Sequence, residues 1–296
     1  MPSVYSHIDK NKRDTVIIMI LFVLVISALS WFLGEMFDPG YGASYVGFAL
    51  IFSGISSFVS YYNSDKMILA ISGAKEVPFE HNKYLHNLID NMCIASGLPK
   101  PKIYMINDTA MNAFATGRDP QHAVICFTSG IVDRLGKREL EGVVAHELSH
   151  IQNYDTRLMS IVSILVGMVT LLSDWFTRGR LYGGGSSGRK GSASGIIFLI
   201  GIIFVILSPI IATLIKLAIS RSREFLADSS SALMTRYPHG LASALRKLGA
   251  DQEILEVANG ATAHLYISNP LKGQGIGKLF ATHPPVQERI KKLESM

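Results

Sequence analysis

Charge and cysteine are what this sequence has least of. Only 17% of its 296 residues are charged, against about 25% in an average soluble protein, while 48% are hydrophobic. The shortage is concentrated. Segments 16–33, 42–62 and 191–215 hold no charged residue at all, and 158–176 holds only Asp174. A helix of about 17–25 apolar residues crosses roughly 30 Å of hydrocarbon, and a core helix rarely runs so far without a polar face. Four membrane spans are predicted. Cys93 and Cys126 stand apart with no CxxC spacing, which excludes a disulfide framework. A phosphate loop is also missing: "GQGIGK" (273–278) is one residue short of the pattern and is followed by Leu279. The first run does not read as a cleaved signal peptide. Trp31-Phe32-Leu33 extend it past the small-residue pattern at Ala28-Leu29-Ser30.

The basic excess, 28 Lys and Arg against 23 acids with a pI near 9.1, suits the flanks of membrane spans better than nucleic acid, and no nucleic-acid partner is expected. The spans pair into two hairpins, one closed by Pro39-Gly40-Tyr41-Gly42, the other by the Gly-rich loop 177–193. The chain then divides into an N-terminal arm (1–15), a first hairpin (16–62), a polar block (63–156), a second hairpin (157–215) and a second polar block (216–296). Each hairpin returns the chain to the face it left, so the arm and both blocks share one side of the bilayer. Basic residues flank that side more densely (Lys10, Lys12, Arg13, Lys66, Lys75, Arg157, Lys216, Arg221, Arg223) than the other (Arg178, Arg180, Arg189, Lys190), which predicts a cytoplasmic domain.

Within the first block, apolar residues at three-to-four spacing predict a helix over 82–95. "KIYMIN" (102–107), "NAFATG" (112–117) and "HAVICFT" (122–128) read as strands. A second helix is predicted from Lys137, capped by Gly136. It carries His146-Glu147-Leu148-Ser149-His150. Residues four apart on a helix face the same way about 6 Å apart, so two imidazoles converge beside a carboxylate. That is the arrangement of zinc hydrolases, in which the glutamate takes the proton of a metal-acidified water. A catalytic zinc takes three protein ligands and leaves one position open. The longer HExxHxxGxxH pattern fails, with Asn153 in place of glycine and Thr156 in place of the third histidine. The third ligand must lie elsewhere. The second hairpin brings the chain after Lys216 back beside the chain before Arg157, where Glu224 and Asp228 stand four apart on a helix face. One can ligate the metal while the other holds an imidazole N–H. A purely structural zinc site would have no use for Glu147, and a transporter would place its ligands at mid-membrane. His81, His86, His122, His239 and His264 have no ligand spacing and read as surface or cap residues.

"AHELSHIQNYDT", "SRSREFLADSSSA", "NAFATG" and "THPPVQERI" resemble the HtpX family of bacterial membrane zinc endopeptidases, relatives of the CAAX prenyl proteases, over nearly the whole chain. The resemblance implies an α+β membrane protein: four transmembrane helices in two hairpins and a split, mainly helical, zincin-like catalytic domain with a small β-sheet. It implies one Zn2+ per chain held by His146, His150 and Glu224, with Glu147 as general base and Asp228 behind the ligands. His283 would stand beside the zinc, stabilising an oxyanion or holding an acid. Asn112, Ala113 and Phe114 would pair with substrate backbone as an added strand. The implied substrates are misfolded membrane proteins or peptides, cut at the cytoplasmic membrane in quality control. Oligomeric state is not readable from the sequence.

Overall fold

The computed structural model describes residues 4–182, 221–258, 261–270 and 284–296. Helices α1 (Val4–Phe37) and α2 (Gly42–Ile71) form a long hairpin. Its turn is tied by Glu35, whose carboxylate accepts the N–H groups of Gly40 (2.9 Å) and Gly42 (3.2 Å). Among the described residues, these are the two helices long and apolar enough to cross a membrane. Their outer faces expose Val16, Ile20, Leu24, Ile51, Ile55, Phe58 and Phe48, the last at 78%. An apolar face of this extent needs a cover other than water. The facing side of α2 is a buried stripe of Ser53, Ser56, Ser57, Ser60 and Ser64, small residues that let helices approach closely.

Two boundaries differ from the sequence expectation. The described part of the arm 1–15 is not separate, because α1 is already helical at Val4. Helix α2 runs past residue 62 to Ile71, kinking at Asn63 (φ −127°, ψ 15°). It thereby leaves the apolar layer and enters the polar domain without a break in the chain.

The domain is built on a mixed sheet of order β1-β2-β4-β3. Strand β1 (Lys75–Glu76) is antiparallel to β2 (Lys102–Ile106), β2 is parallel to β4 (Val124–Thr128), and β4 is antiparallel to the edge strand β3 (Ala113–Thr116). The three predicted strands are thus β2, β3 and β4. Helix α3 (Lys83–Ser96) starts where Asn82 Oδ1 accepts the Leu85 N–H and stops at Gly97 in the left-handed conformation (φ 70°). A short α4 (Ser129–Arg134) leads into α5 (Lys137–Gln152), which begins at Gly136 as expected. The Gly136 N–H is met by Glu139 Oε2 at 2.7 Å.

Helix α5 is the spine of the domain, buried at nearly every position from Leu140 to Ile151. It packs on β3 and against α7 (Arg221–Thr235) and α8 (Pro238–Ala250). Gly142 permits that packing, since a Cβ there would stand 2.6 Å from the Leu241 backbone nitrogen. The core gathers Leu85, Ile89, Ile125, Phe127, Leu140, Val144, Leu148 and Leu245. The C-terminal α9 (Val286–Glu294) closes it with Ile290 and Leu293. Two histidines read as surface residues are instead buried: His86 lies 2.8 Å from the Val77 carbonyl, and His264 lies 3.2 Å from Ser163 Oγ. Spacing tests a histidine as a ligand and says nothing about burial.

Helix α6 (Asp155–Tyr182) carries the third apolar run. Its first turns are enclosed by protein: Leu158, Ile161, Val162 and Leu165 pack against Ile18, Phe22 and Ile26 of α1. Residues 177–182 of the predicted Gly-rich loop continue this helix. The rest of that loop, the fourth run (191–215) and His283 lie outside the described residues.

Candidate metal centre

Two helices, α5 and α7, converge on one buried point. The rings of His146 and His150, one turn apart on α5, meet edge-on with centroids 4.7 Å apart. Their Nε2 atoms are 3.2 Å from each other. Glu224 on α7 places Oε2 at 3.7 Å from His146 Nε2 and Oε1 at 3.6 Å from His150 Nε2. Ligand atoms about 2.1 Å from a single tetrahedral ion stand roughly 3.4 Å from one another, so these three groups have the spacing of a coordination shell. They are also the one such group of metal-binding side chains found among the described residues.

The other nitrogen of each imidazole is already engaged. His146 Nδ1 lies 3.1 Å from Asp228 Oδ1, and His150 Nδ1 lies 2.9 Å from Asp155 Oδ2. A carboxylate on Nδ1 fixes the ring and leaves Nε2 as the donor atom for a metal. Asp155 reaches His150 because Tyr154 adopts a left-handed backbone (φ 59°). This strained conformation turns the chain sharply between α5 and α6.

Asp155 is itself clamped. Asn11, buried on α1, donates from Nδ2 to Asp155 Oδ1 (2.6 Å) and to the Asn153 carbonyl (2.9 Å). The same side chain accepts from Arg223 Nη1 at 3.0 Å. Arg289 on α9 performs the equivalent task for Asp228 with a two-point grip, Nε to Oδ2 at 2.9 Å and Nη2 to Oδ1 at 2.7 Å. Its Nη1 stands 3.3 Å from Glu224 Oε2. Burial opposes the charge on Arg289, but Asp228 and Glu224 outweigh it and raise its pKa. The guanidinium is a permanent cation inside the domain.

Glu147 points to the same place and is 2% exposed. Burial pushes its carboxyl up to about 7, resisted by His150, while the Ala115 N–H hydrogen-bonds to it. Burial likewise depresses His146 to about 4, against the pull of Asp228. His150 goes the other way. Burial would lower it, but the bond to Asp155 and the charge of Glu224 carry it up to about 9 in the metal-free chain. One proton thus rests on the imidazole pair near neutral pH, at the point where a cation would bind.

A prediction with a definite sign follows from that proton. A metal needs His150 neutral, so binding below pH 9 must release the proton. Zinc affinity should rise about tenfold from pH 7.5 to 8.5, and calorimetry in buffers of different ionisation enthalpy should count about one proton released per ion. An affinity flat across that range would mean that His150 carries no proton there before the metal binds. Linkage gives the stability counterpart. Because His150 is raised from 6.5 to about 9, its contribution to the metal-free fold is complete below the lower value and fades as pH climbs through the higher one.

Residues 80–296 match the model of peptidase family M48. The chain belongs to peptidase family M48. It is therefore a metalloprotease, the class that its donor set had already suggested. M48 relatives named "Protease HtpX homolog" match nearly end to end. That of Dictyoglomus thermophilum is 42% identical over 295 residues, covering 99% of this chain and 94% of its own. That of Caldanaerobacter subterraneus is 42% identical over 299 residues, covering 99% and 98%. In fold, the chain is similar to the crystal structure of Ste24p from S. mikatae, with a TM-score of 0.51 at 17% identity, over 96% of this chain and 67% of that one.

Of the residues singled out from sequence, His146, Glu147, His150, Glu224 and Asp228 come together in this M48 site. Asn112, Ala113 and Phe114 lie on or beside the edge strand β3, next to Glu147, but the three are not equivalent. The Asn112 carbonyl accepts the Thr128 N–H (3.0 Å), so by antiparallel alternation the main chains of Asn112 and Phe114 turn inward to β4. Only the Ala113 main chain and the Asn112 side chain face outward. Phe114 thus has no main-chain group for a new strand, a correction to reading the three as one unit. Asp155, Asn11 and Arg289 were not found from sequence. Asp155 sits in the quoted "AHELSHIQNYDT", and an acid five residues after the second histidine was a signal available there. Asn11 had none.

Proposed function

We propose that this chain is an integral-membrane zinc endopeptidase that hydrolyses peptide bonds of misfolded or damaged membrane proteins at the cytoplasmic face. The observation that carries the reading is the pair of Nε2 atoms 3.2 Å apart, each backed by a carboxylate and both facing Glu224. A zinc ion held by His146, His150 and Glu224 would supply Lewis acidity, lowering the pKa of a water and polarising the peptide carbonyl. The chain's own residues do the rest. Glu147, poised near neutrality by burial, takes the water's proton and returns it to the leaving amine. Asp228 and Asp155 hold the two rings. Ala113 and the Asn112 side chain offer a peptide the outer edge of β3.

The membrane assignment is supported by the exposed apolar faces of α1 and α2 and by the charge-free run 191–215, which with 158–176 would make a second hairpin. Basic residues clustered on the domain side favour a cytoplasmic domain and a bacterial inner-membrane location. His150 stands only a few residues before α6, close enough for the site to meet a chain emerging from lipid.

The test is chelator-sensitive cleavage of an unfolded substrate by the full, detergent-solubilised chain, run beside Glu224→Ala. Wild type should bind one zinc ion and lose activity to a chelator. Glu224→Ala should bind zinc at least about tenfold more weakly. Tight stoichiometric zinc in that variant would take Glu224 out of the ligand set.

A further inference from the structure

The edge of β3 that should receive a peptide is already taken. Ala113 turns its carbonyl outward, and the Ile267 N–H donates to it at 2.9 Å. The Asn112 carboxamide grips the next residue at two points: Nδ2 donates to the Ser268 carbonyl (3.0 Å), and Oδ1 accepts the Ser268 N–H (3.3 Å). The first is a bond an added strand would make, and the Asn112 grip fixes the strap beside it. The Ile267 carbonyl faces Arg289 Nη1 at 3.5 Å, the same atom that stands 3.3 Å from Glu224. One residue, Ile267, therefore bridges the edge strand and the metal-ligand cluster. Beside it, Tyr266 meets Phe114 edge-on with centroids 5.1 Å apart. Asn112 and Ala113 are buried at 2% and 1% exposure, so no incoming peptide can reach them while 266–268 stays in place.

We infer that 266–268 is an internal stand-in for substrate, a strap that occupies the peptide seat at rest and leaves when a substrate strand replaces it. This rests on the reading of β3 as the substrate edge. The strap's backbone is tied to β3 by one main-chain bond plus the Asn112 grip, whereas β2 and β4 share a register five residues long. Its side chains add burial: Tyr266 packs on Phe114 and donates to Ser72 Oγ, and Ile267 joins the core. Pro270, two residues beyond Ser268, has no N–H to extend a ladder. Its displacement breaks few strand bonds but uncovers apolar surface, which the arriving substrate strand must cover in turn.

The strap also sets a threshold for substrates. A tethered competitor acts at an effective concentration in the millimolar range, so a dilute soluble peptide rarely wins. A chain already unfolded and confined beside the site does. The enzyme is thereby restrained against folded neighbours without an inhibitor protein.

Two measurements on the full, zinc-loaded chain test this. Ile267→Pro deletes the N–H that meets Ala113, and Tyr266 already has the extended backbone (φ −77°, ψ 143°) that a residue before proline requires. For a soluble unstructured decapeptide, kcat/KM should rise about fivefold, the worth of one net hydrogen bond, mainly through a lower KM. An unchanged or lower value at wild-type zinc content and melting temperature overturns the strap. The second measurement needs no strap mutation. In Glu147→Gln, a saturating benzophenone-labelled decapeptide should crosslink to 112–116 and make the amides of 263–268 exchange faster with deuterium. Crosslinks to 112–116 with 263–268 still protected would leave the substrate edge standing and refute displacement. Crosslinks elsewhere, with 263–268 unchanged, would remove the substrate edge itself and the strap with it.

Discussion

Glu147→Gln lowers peptide-bond cleavage by about 10²–10⁴-fold, the usual contribution of a positioned general base, while zinc stays bound. Glutamine keeps the shape of the side chain, and its amide oxygen can still accept the Ala115 N–H that Glu147 accepts now. What it cannot do is take a proton. Because Glu147 is buried and raised to about 7, it is a stronger base than a surface carboxylate. Single-turnover cleavage beside metal analysis separates the two roles. Full cleavage by the glutamine variant would mean that another group takes the proton.

Arg289→Met should give the largest loss of stability. The guanidinium is fully buried and touches Asp228 at two atoms, Glu224 at one and the His146 ring at 3.3 Å. Removing one member of a buried ion cluster leaves uncompensated charge and costs about 3–5 kcal/mol. For a domain of this size, the melting temperature falls on the order of 10 °C. Lysine should rescue only part of the loss, because an ammonium cannot reproduce the two-point grip on Asp228. Adding Asp228→Asn to Arg289→Met should recover some of it by removing the stranded charge. Melting of the metal-free variants checks the order. A methionine variant as stable as wild type would show that the cluster closes without its arginine.

How much of this could be read from the chain alone depended on whether a signal was local. His146, Glu147 and His150 were legible because helical spacing turns a five-residue string into a geometry. Glu224 and Asp228 needed one further step, the return of a hairpin to the face it left. Strands β2, β3 and β4 showed in their branched and aromatic residues, and the start of α5 in Gly136. Asn11 and Arg289 were illegible for the opposite reason. Asn11 lies 144 residues from Asp155 and Arg289 lies 61 from Asp228, and no local spacing ties either to the acid it holds. Apolarity marks where a helix can sit in lipid, not where its hydrogen bonds stop, so α1 and α2 run beyond the apolar stretches 16–33 and 42–62. The strap was out of reach too, since nothing in "LYISNP" says that its backbone will lie along β3.

Asn11 belongs to the same helix that carries the apolar surface from Val16 to Leu24, yet its amide sits between Asp155 and Arg223. The helix with the apolar surface therefore also braces the donor cluster from behind. Cutting the protein down to a soluble fragment would strip the support from behind His150 along with the lipid-facing surface. A piece that keeps this support must still contain the first helix, so the donor cluster and the apolar surface cannot be separated by truncation.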